Sequence, residues 1–343
     1  MLLILYWENK ELTEKPILNE IHNPSFDTQV LQRCEIDTLN MISNFGNQFT
    51  DDGCPVCASN KRHLEETVWG LNYQRCEVCG LVYISPCPTN EIRSWYLENS
   101  TGLKFWRENM PKKTIDSRYA LYSDRAEFID NAVTKFGVNH NRIVEVGAGN
   151  GELAKIISER GLFSEIILVE PQPLQISLPA CKVVQAEISD ANLSEPADVV
   201  VAFEVLEHIN EPKEFLHDLG NLVGEDGLLI MSTPNVDGLE ISCLGQLSNA
   251  LKFDHVRLYS PHSIRRLLDN EGWELLHIET PGLFDVDSIC NHFENGAIDL
   301  ASNPALRFIC ESNIELRSQF QLFLQQQLLS SHMKFVARKC RVT

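Results

Sequence analysis

The chain has 343 residues, enough for one large domain and a smaller one, and 43% of them are hydrophobic, which permits a sizeable core. Lys and Arg number 29 against 48 Asp and Glu, a formal charge of −19, and no dense basic stripe appears. Nucleic acid and anionic membrane surfaces are therefore disfavoured partners, because both are held through phosphate neutralisation. No apolar run reaches the ~18 residues of a membrane helix.

Residues 1–50 begin with an apolar stretch, Met1 to Trp7, without preceding basic residues. It reads as a strand or helix end docked on the body rather than a signal peptide. Ile4, Leu5, Ile17, Leu18, Ile21, Val30, Leu31, Ile36 and Leu39 give some helical spacing, broken by Pro16 and Pro24, and no function is assigned. Of the eleven cysteines, Cys181, Cys243, Cys310 and Cys340 are scattered along apolar stretches. Without a secretory signal this favours a reducing cytoplasm over disulfides.

Cys54-Pro-Val-Cys57 is followed after 18 residues by Cys76-Glu-Val-Cys79. Two such knuckles present four thiolates to one tetrahedral ion, zinc ahead of iron. Thr67, Val68, Trp69 and Leu71 to Tyr73 supply strand between the knuckles, Leu81 to Ile84 supplies it after them, and the arrangement resembles a zinc ribbon over residues 51–88. A closed four-thiolate shell has no open position for water, so these cysteines are not expected to be catalytic. The metal either replaces a core too small to form, or the ribbon caps a pocket or recognises a partner. Cys76→Ser is expected to lose the metal and destabilise residues 51–88 while leaving ligand binding elsewhere largely intact.

Pro86 and Pro88 close the ribbon, and an Asn99–Gly102 turn follows. Arg118 to Val138 has helical spacing and is expected to cover the next segment. Trp95, Tyr96, Phe105 and Trp106 read either as interdomain packing or as the lining of an entrance.

Arg142 to Glu170 is the most informative stretch. Ile143 to Val146 is a β-branched strand, Gly147-Ala-Gly149-Asn-Gly151 a glycine turn, Glu152 to Arg160 an amphipathic helix, and Ile166 to Val169 a second strand. This is one βαβ unit. The glycines let a ligand lie against the backbone. Glu170 follows Gly151 by 19 residues and can accept hydrogen bonds from a ribose. The spacing is G-x-G-x-G with Glu145 two residues ahead and Glu152 behind. Acid on both sides suits a ligand with a cationic end better than a pyrophosphate.

Lys182 to Gln185 is a third strand with Glu187 just beyond it, and Asp198 to Phe203 a fourth, apolar and buried. Glu204-Val-Leu-Glu207-His208 then follows. If it opens a helix, Glu204, Glu207 and His208 share one face. His208 then serves as a general base, or the triple holds a divalent cation, or the carboxylates only favour a helix N-terminus. Leu228 to Ser232 is a fifth strand, and His255-Val-Arg257-Leu-Tyr259-Ser260-Pro261 leads into a helix over Ser263 to Asn270. His255 is a second catalytic candidate. Trp273 to Ile278 is a sixth strand, Met333 to Ala337 the last, and the intervening residues 281–331, helical over Leu300 to Leu329, read as a lid or a dimer surface.

E-V-G-A-G-N-G at 145–151 resembles the first motif of class I S-adenosylmethionine-dependent methyltransferases. Val169-Glu170-Pro171, DVVVAFEVLEHINEP at 198–212 and GLLIMSTPN at 227–235 are similar to three further motifs in order, so the resemblance covers roughly residues 120–343. It implies a doubly wound α/β fold with a mostly parallel seven-stranded, Rossmann-like sheet. It implies that S-adenosylmethionine meets Glu145, Gly147, Gly149, Gly151, Glu170, Glu187 and Phe203. It implies a catalytic group of His208, Glu204, Glu207 and His255. The His at this place resembles that of sugar methyltransferases with an N-terminal cysteine-rich zinc module. The acidic-His triple also resembles the motif of ubiquinone-pathway and small-RNA 2′-O-methyltransferases, where it is associated with a divalent cation. The expected organisation is residues 1–50 of unassigned role, 51–88 a zinc ribbon, 89–141 a linker with a covering helix, and 142–343 the methyltransferase domain. The expected reaction is methyl transfer to a small polar acceptor, a sugar or glycan hydroxyl first. The alternatives are an RNA or protein methyltransferase with the ribbon as reader, or a binding protein without turnover.

Overall fold

The computed structural model describes residues 24–110, 112–174 and 176–340. Met1 to Trp7 and the apolar positions up to Ile21 lie outside them. The sequence breaks its first helical pattern at Pro24, and there helix α1 starts, Pro24–Phe45. A proline is tolerated in a first turn because its missing N–H has no helical partner there.

The ribbon follows as strands β1 (Arg62–Val68), β2 (Leu71–Cys76) and β3 (Val82–Ile84). The expected turn at 99–102 is a break between two helices, α2 (Asn90–Asn99) and α3 (Thr101–Asn109). Ser100 ends one and caps the other, its hydroxyl accepting from Leu103 N at 3.1 Å. Residues 89–141 are thus mostly helix, including the long α4, Lys112–Phe136. Tyr96 packs edge-on against Phe253, Trp95 against Phe45, and Phe105 against Phe26, while Arg118 lies over the Trp106 ring. Each of these aromatics packs within the structure.

The main sheet is built from β4 (Arg142–Val146), β5 (Glu165–Val169), β6 (Cys181–Val184), β7 (Ala197–Phe203) and β8 (Val223–Pro234), interleaved with α5 (Glu152–Arg160) and α6 (Pro212–Leu222). Short helix α7 (Leu239–Leu244) and strand β9 (Arg257–Leu258) follow, then α8 (Pro261–Asn270) and β10 (Trp273–Glu279). Helices α9 (Asp285–Glu294), α10 (Pro304–Glu311) and α11 (Ile314–Gln326) precede the last strand, β11 (His332–Lys339). The order across the sheet is β10-β11-β8-β7-β4-β5-β6, seven strands. Neighbours from β8 through β6 are parallel, and β11 inserts antiparallel between β8 and β10. β7 and most of β8 are buried on both faces, as parallel strands under helices must be. On one face α4 packs Ala126, Ile129 and Val133 with Leu153 and Ile157 of α5.

The ribbon is not a separable module. β3 pairs antiparallel with β9, Val82 with Leu258 and Tyr83 with Arg257, making a four-stranded sheet β1-β2-β3-β9. Cys54, Val56, Cys79, Leu81 and Tyr83 belong to the same buried cluster as Leu206, Phe215, Tyr259 and Ile264 of the large domain.

Residues 281–331 hold three helices with a small core of their own, in which Val286, Ile289, Leu306 and Leu324 meet Leu244 of α7. The helical pattern over Leu300 to Leu329 takes the form of two helices, the second capped by Asn313, whose side chain accepts from Leu316 N at 3.0 Å.

Candidate active site

The parallel strands end together, and the turns after β4, β5, β6, β7 and β8 gather there. The glycine loop is shaped by backbone that only glycine adopts freely. Gly147 has φ +75°, and an added Cβ would come within 2.6 Å of the Val205 side chain. Gly149 has φ +55°, and a Cβ there would meet nothing within 4 Å. The loop is therefore closed on the side of Val205 and open at Gly149. Gly151, φ +75°, stands at the start of α5.

Glu170 is tied to this loop. Its Oε2 accepts from Gly149 N and its Oε1 from Gln172 N, both at 3.0 Å. Each carboxylate oxygen keeps a lone pair for a ligand hydroxyl. Glu145 lies in β4 and is 7% exposed, and its Oε2 has no hydrogen-bond partner. Burial raises its pKa to about 8, with the Arg125 guanidinium opposing the rise. A buried carboxylate oxygen without a partner, beside an open glycine backbone, fits the ammonium of S-adenosylmethionine. Phe203 is buried at the end of β7, whereas Glu187 is exposed at the rim beyond β6.

Arg125 went unread in the sequence. It stands on α4 with its guanidinium carbon 5.2 Å from the Phe203 ring centre and 5.3 Å from that of Tyr122. Its Nη2 lies 3.7 Å from Glu204 Oε1. The helical pattern of 118–138 shows that a helix covers the site, but only packing shows which residue faces Glu145 and Phe203.

The expectation that Glu204, Glu207 and His208 line one helix face is overturned. Glu204 has φ +57°, and only Leu206–His208 form a single 3-10 turn. The left-handed residue turns Glu204 away from the other two. It accepts from Ser232 Oγ at 2.6 Å and lies 3.6 Å from His332 Nδ1. Burial works against its charge, but His332, Arg125 and the Ser232 hydroxyl hold its carboxyl well below the usual range.

His255 takes the place Glu204 leaves. The rings of His208 and His255 meet edge to face, 4.9 Å between centres. His208 Nδ1 lies 2.6 Å from Asp254 O, and His255 Nδ1 3.0 Å from Ala250 O. A carbonyl only accepts, so each Nδ1 carries the proton and each Nε2 presents a bare lone pair. Burial lowers both pKa values, that of His255 to about 3, with Asp254 partly offsetting the shift at His208. Both rings are neutral near pH 7. Glu207 is fully buried, with Oε2 accepting from Thr233 Oγ1 at 3.0 Å and Oε1 unpartnered. Burial first, and Glu204 second, push its pKa well above the usual carboxyl range. One donor atom from each of Glu207, His208 and His255 lies within 4.8 Å of the others, close enough to share an ion.

Among the described residues, Cys54, Cys57, Cys76 and Cys79 form the other such cluster, their sulfurs also within 4.8 Å of one another. Each knuckle is closed by its backbone, Ala58 N donating to Cys54 O at 2.8 Å and Gly80 N to Cys76 O at 2.9 Å. The remaining cysteines are unbridged as well, with Cys290 and Cys310 side by side under α9 and α10. Among the described residues no helix is long and apolar enough to cross a membrane.

A family model described as a methyltransferase domain matches residues 118–278. A ubiquinone biosynthesis O-methyltransferase of Azorhizobium caulinodans is 28% identical over 158 residues, 40% of this chain and 60% of the relative. One from Neisseria meningitidis is 31% identical over 143 residues, 38% of this chain and 58% of the relative. A probable S-adenosylmethionine-dependent methyltransferase of Mycobacterium tuberculosis is 29% identical over 99 residues, 27% of this chain and 35% of the relative. The chain thus spans between about a third and three fifths of these curated relatives. Among solved structures, the plantazolicin methyltransferase BpumL in complex with SAH aligns with a TM-score of 0.42 at 16% identity, over 69% of this chain and 93% of that one. Residues 118–278 form a methyltransferase domain of the class I, S-adenosylmethionine-dependent family.

Proposed function

We propose that the chain moves a methyl group from S-adenosylmethionine to a hydroxyl of a small polar acceptor, a sugar or glycan first, with His208 as the general base. The carrying observation is the bare Nε2 of His208, made available because Nδ1 is committed to Asp254 O. S-adenosylmethionine, when bound, supplies an electrophilic methyl on a sulfonium. Glu145 neutralises the ligand's ammonium, Glu170 accepts from its ribose, and Gly147 and Gly149 leave room for it. Glu187 and Phe203 flank the far end. His208 Nε2 takes the acceptor's hydroxyl proton, and the neutral ring is ready for it at physiological pH. The four ribbon cysteines hold zinc in a structural role. Eleven unbridged thiols suit a reducing cytoplasm.

One observation favours a second reading of the same atoms. Glu207, whose Oε1 is unpartnered, His208 and His255 each bring one donor atom within 4.8 Å of the others, as ligands of a divalent cation would. Both Nδ1–H groups are anchored to carbonyls, the usual support of metal-bound imidazoles. In that reading the cation polarises the acceptor hydroxyl.

His208→Ala separates the readings. S-adenosylmethionine affinity is expected to stay at the wild-type value while turnover falls by roughly 10²–10⁴. Wild-type turnover unaffected by EDTA then assigns the base, and turnover lost to EDTA and restored by Mg²⁺ assigns the cation. A fully active His208→Ala overturns both.

A further inference from the structure

A cavity of about 450 Å³ opens between the ribbon knuckle at Gly53–Pro55, the segment Ser85–Glu91 and the turn Asn210–Lys213. This volume is in the range of small-molecule sites. Its inner wall holds Arg257, which is 6% exposed. The guanidinium donates from Nη1 to Val256 O at 3.0 Å and toward Cys87 Sγ at 3.4 Å, and from Nη2 to Asn210 O at 3.3 Å. Its Nε has no partner. Among the described residues no carboxylate pairs with it.

Asn210 ties a second guanidinium to the first. Arg93 Nη1 donates to Asn210 Oδ1 at 3.2 Å, again without a carboxylate partner among the described residues. Burial lowers the Arg93 pKa to about 10, with Arg257 adding to the effect. Two guanidiniums held on one asparagine have no carboxylate at ion-pair distance among the described residues, and Glu211 and Asp254 act on them only from farther away, so a ligand that brings counter-charge is favoured. Lys213 adds a third cation on the cavity wall. The carboxylates that also line it, Asp52, Glu91 and Glu211, are exposed at the mouth.

We propose that this cavity binds an oxyanion, a phosphate or carboxylate group carried on a small polar molecule, with Arg257 Nε–H and the Lys213 ammonium as its donors. The acidic mouth sets the orientation. It disfavours a second negative charge and accepts hydrogen bonds from hydroxyls, so the anionic end lies inward and the polar end outward. The proposal goes beyond methyl transfer and does not depend on it.

The test uses the full-length, zinc-loaded chain and reads the thermal midpoint against inorganic phosphate, acetate and chloride at constant ionic strength. A saturable rise with phosphate or with acetate, absent with chloride, is expected. The anion that produces it names the ligand group. Lys213→Gln is expected to weaken that response roughly tenfold and Arg257→Gln to remove it. Lys213→Gln alone decides the matter if Arg257→Gln fails to fold. No saturable response to either anion overturns the proposal, as does a response that Lys213→Gln leaves unchanged. Loss of zinc from Arg257→Gln, with a wild type indifferent to both anions, would show that the guanidinium serves the ribbon thiolates instead.

Discussion

Glu145, Gly147, Gly149 and Glu170 come from one run of 26 residues, whereas the proposed acceptor side joins Glu207 and His208 to His255 across the chain and leans on a ribbon that begins near residue 51. The first half is a βαβ unit whose geometry is local: strand, turn and helix place the loop wherever the sheet forms. The second half exists only when distant segments have packed. The proposed cofactor side thus takes its main groups from one local run, with Arg125 and Val205 packed on it from elsewhere, and the proposed acceptor side takes all of its groups from distant segments.

The strongest way to break that contrast is Cys76→Ser. Because the ribbon shares a sheet and a buried cluster with the large domain, the variant is expected to lose its metal and roughly 5 kcal/mol or more of stability, on the scale of a whole domain's margin. Urea unfolding followed by Trp fluorescence should show one displaced transition. A ribbon that melts alone while the rest keeps its wild-type midpoint would restore the picture of a detachable module.

The next effect sharpens the cofactor side. Glu145 is raised from 4.5 to about 8 by burial, so between those pH values the folded chain holds a proton that the unfolded chain has released. Its contribution to stability therefore falls as pH rises through that window. An ammonium ligand favours the ionised form, so binding at pH 7 should release a proton, and affinity should climb up to about tenfold per pH unit until pH 8. Calorimetry in two buffers of different ionisation enthalpy counts that proton. Glu145→Gln should abolish both the release and the pH dependence, and a release that persists in the variant would remove Glu145 from the ligand.

The smallest effect lies where the halves meet. Ser260 caps α8 immediately after β9, its Oγ accepting from Ser263 N at 3.1 Å while Ser263 Oγ accepts from Ser260 N at 2.7 Å. Ser260→Ala is expected to cost about 1 kcal/mol in urea unfolding and to leave S-adenosylmethionine affinity unchanged. A large loss of affinity would mean that the cofactor side also depends on this junction.

The same contrast explains what the sequence shows and hides. The glycine loop, the acidic strand end and the seven strands are legible because each rests on a local pattern of period two, period 3.6 or glycine spacing. The E-x-x-E-H run misleads because its helical reading assumes ordinary φ angles, and one left-handed residue, Glu204, changes the neighbours of all three side chains. His255 is visible as a candidate but not as the partner of His208, since 46 residues and the packing of Asp254 separate them. Arg125 carries no motif at all, and its role depends on which face of α4 meets the sheet. The ribbon's spacing reveals a four-thiolate cluster but gives no hint that β9 completes its sheet.

That completion has a consequence during synthesis. Val82 and Tyr83 wait for Leu258 and Arg257, about 175 residues later. At 5–20 residues per second the outer edge of β3 stays unpaired on the ribosome for roughly 9–35 s. An unpaired apolar edge is a template for other chains. Three residues is a short template, and the brevity of β3 limits how long a wrong partner can stay on a nascent chain whose sheet is still one strand short.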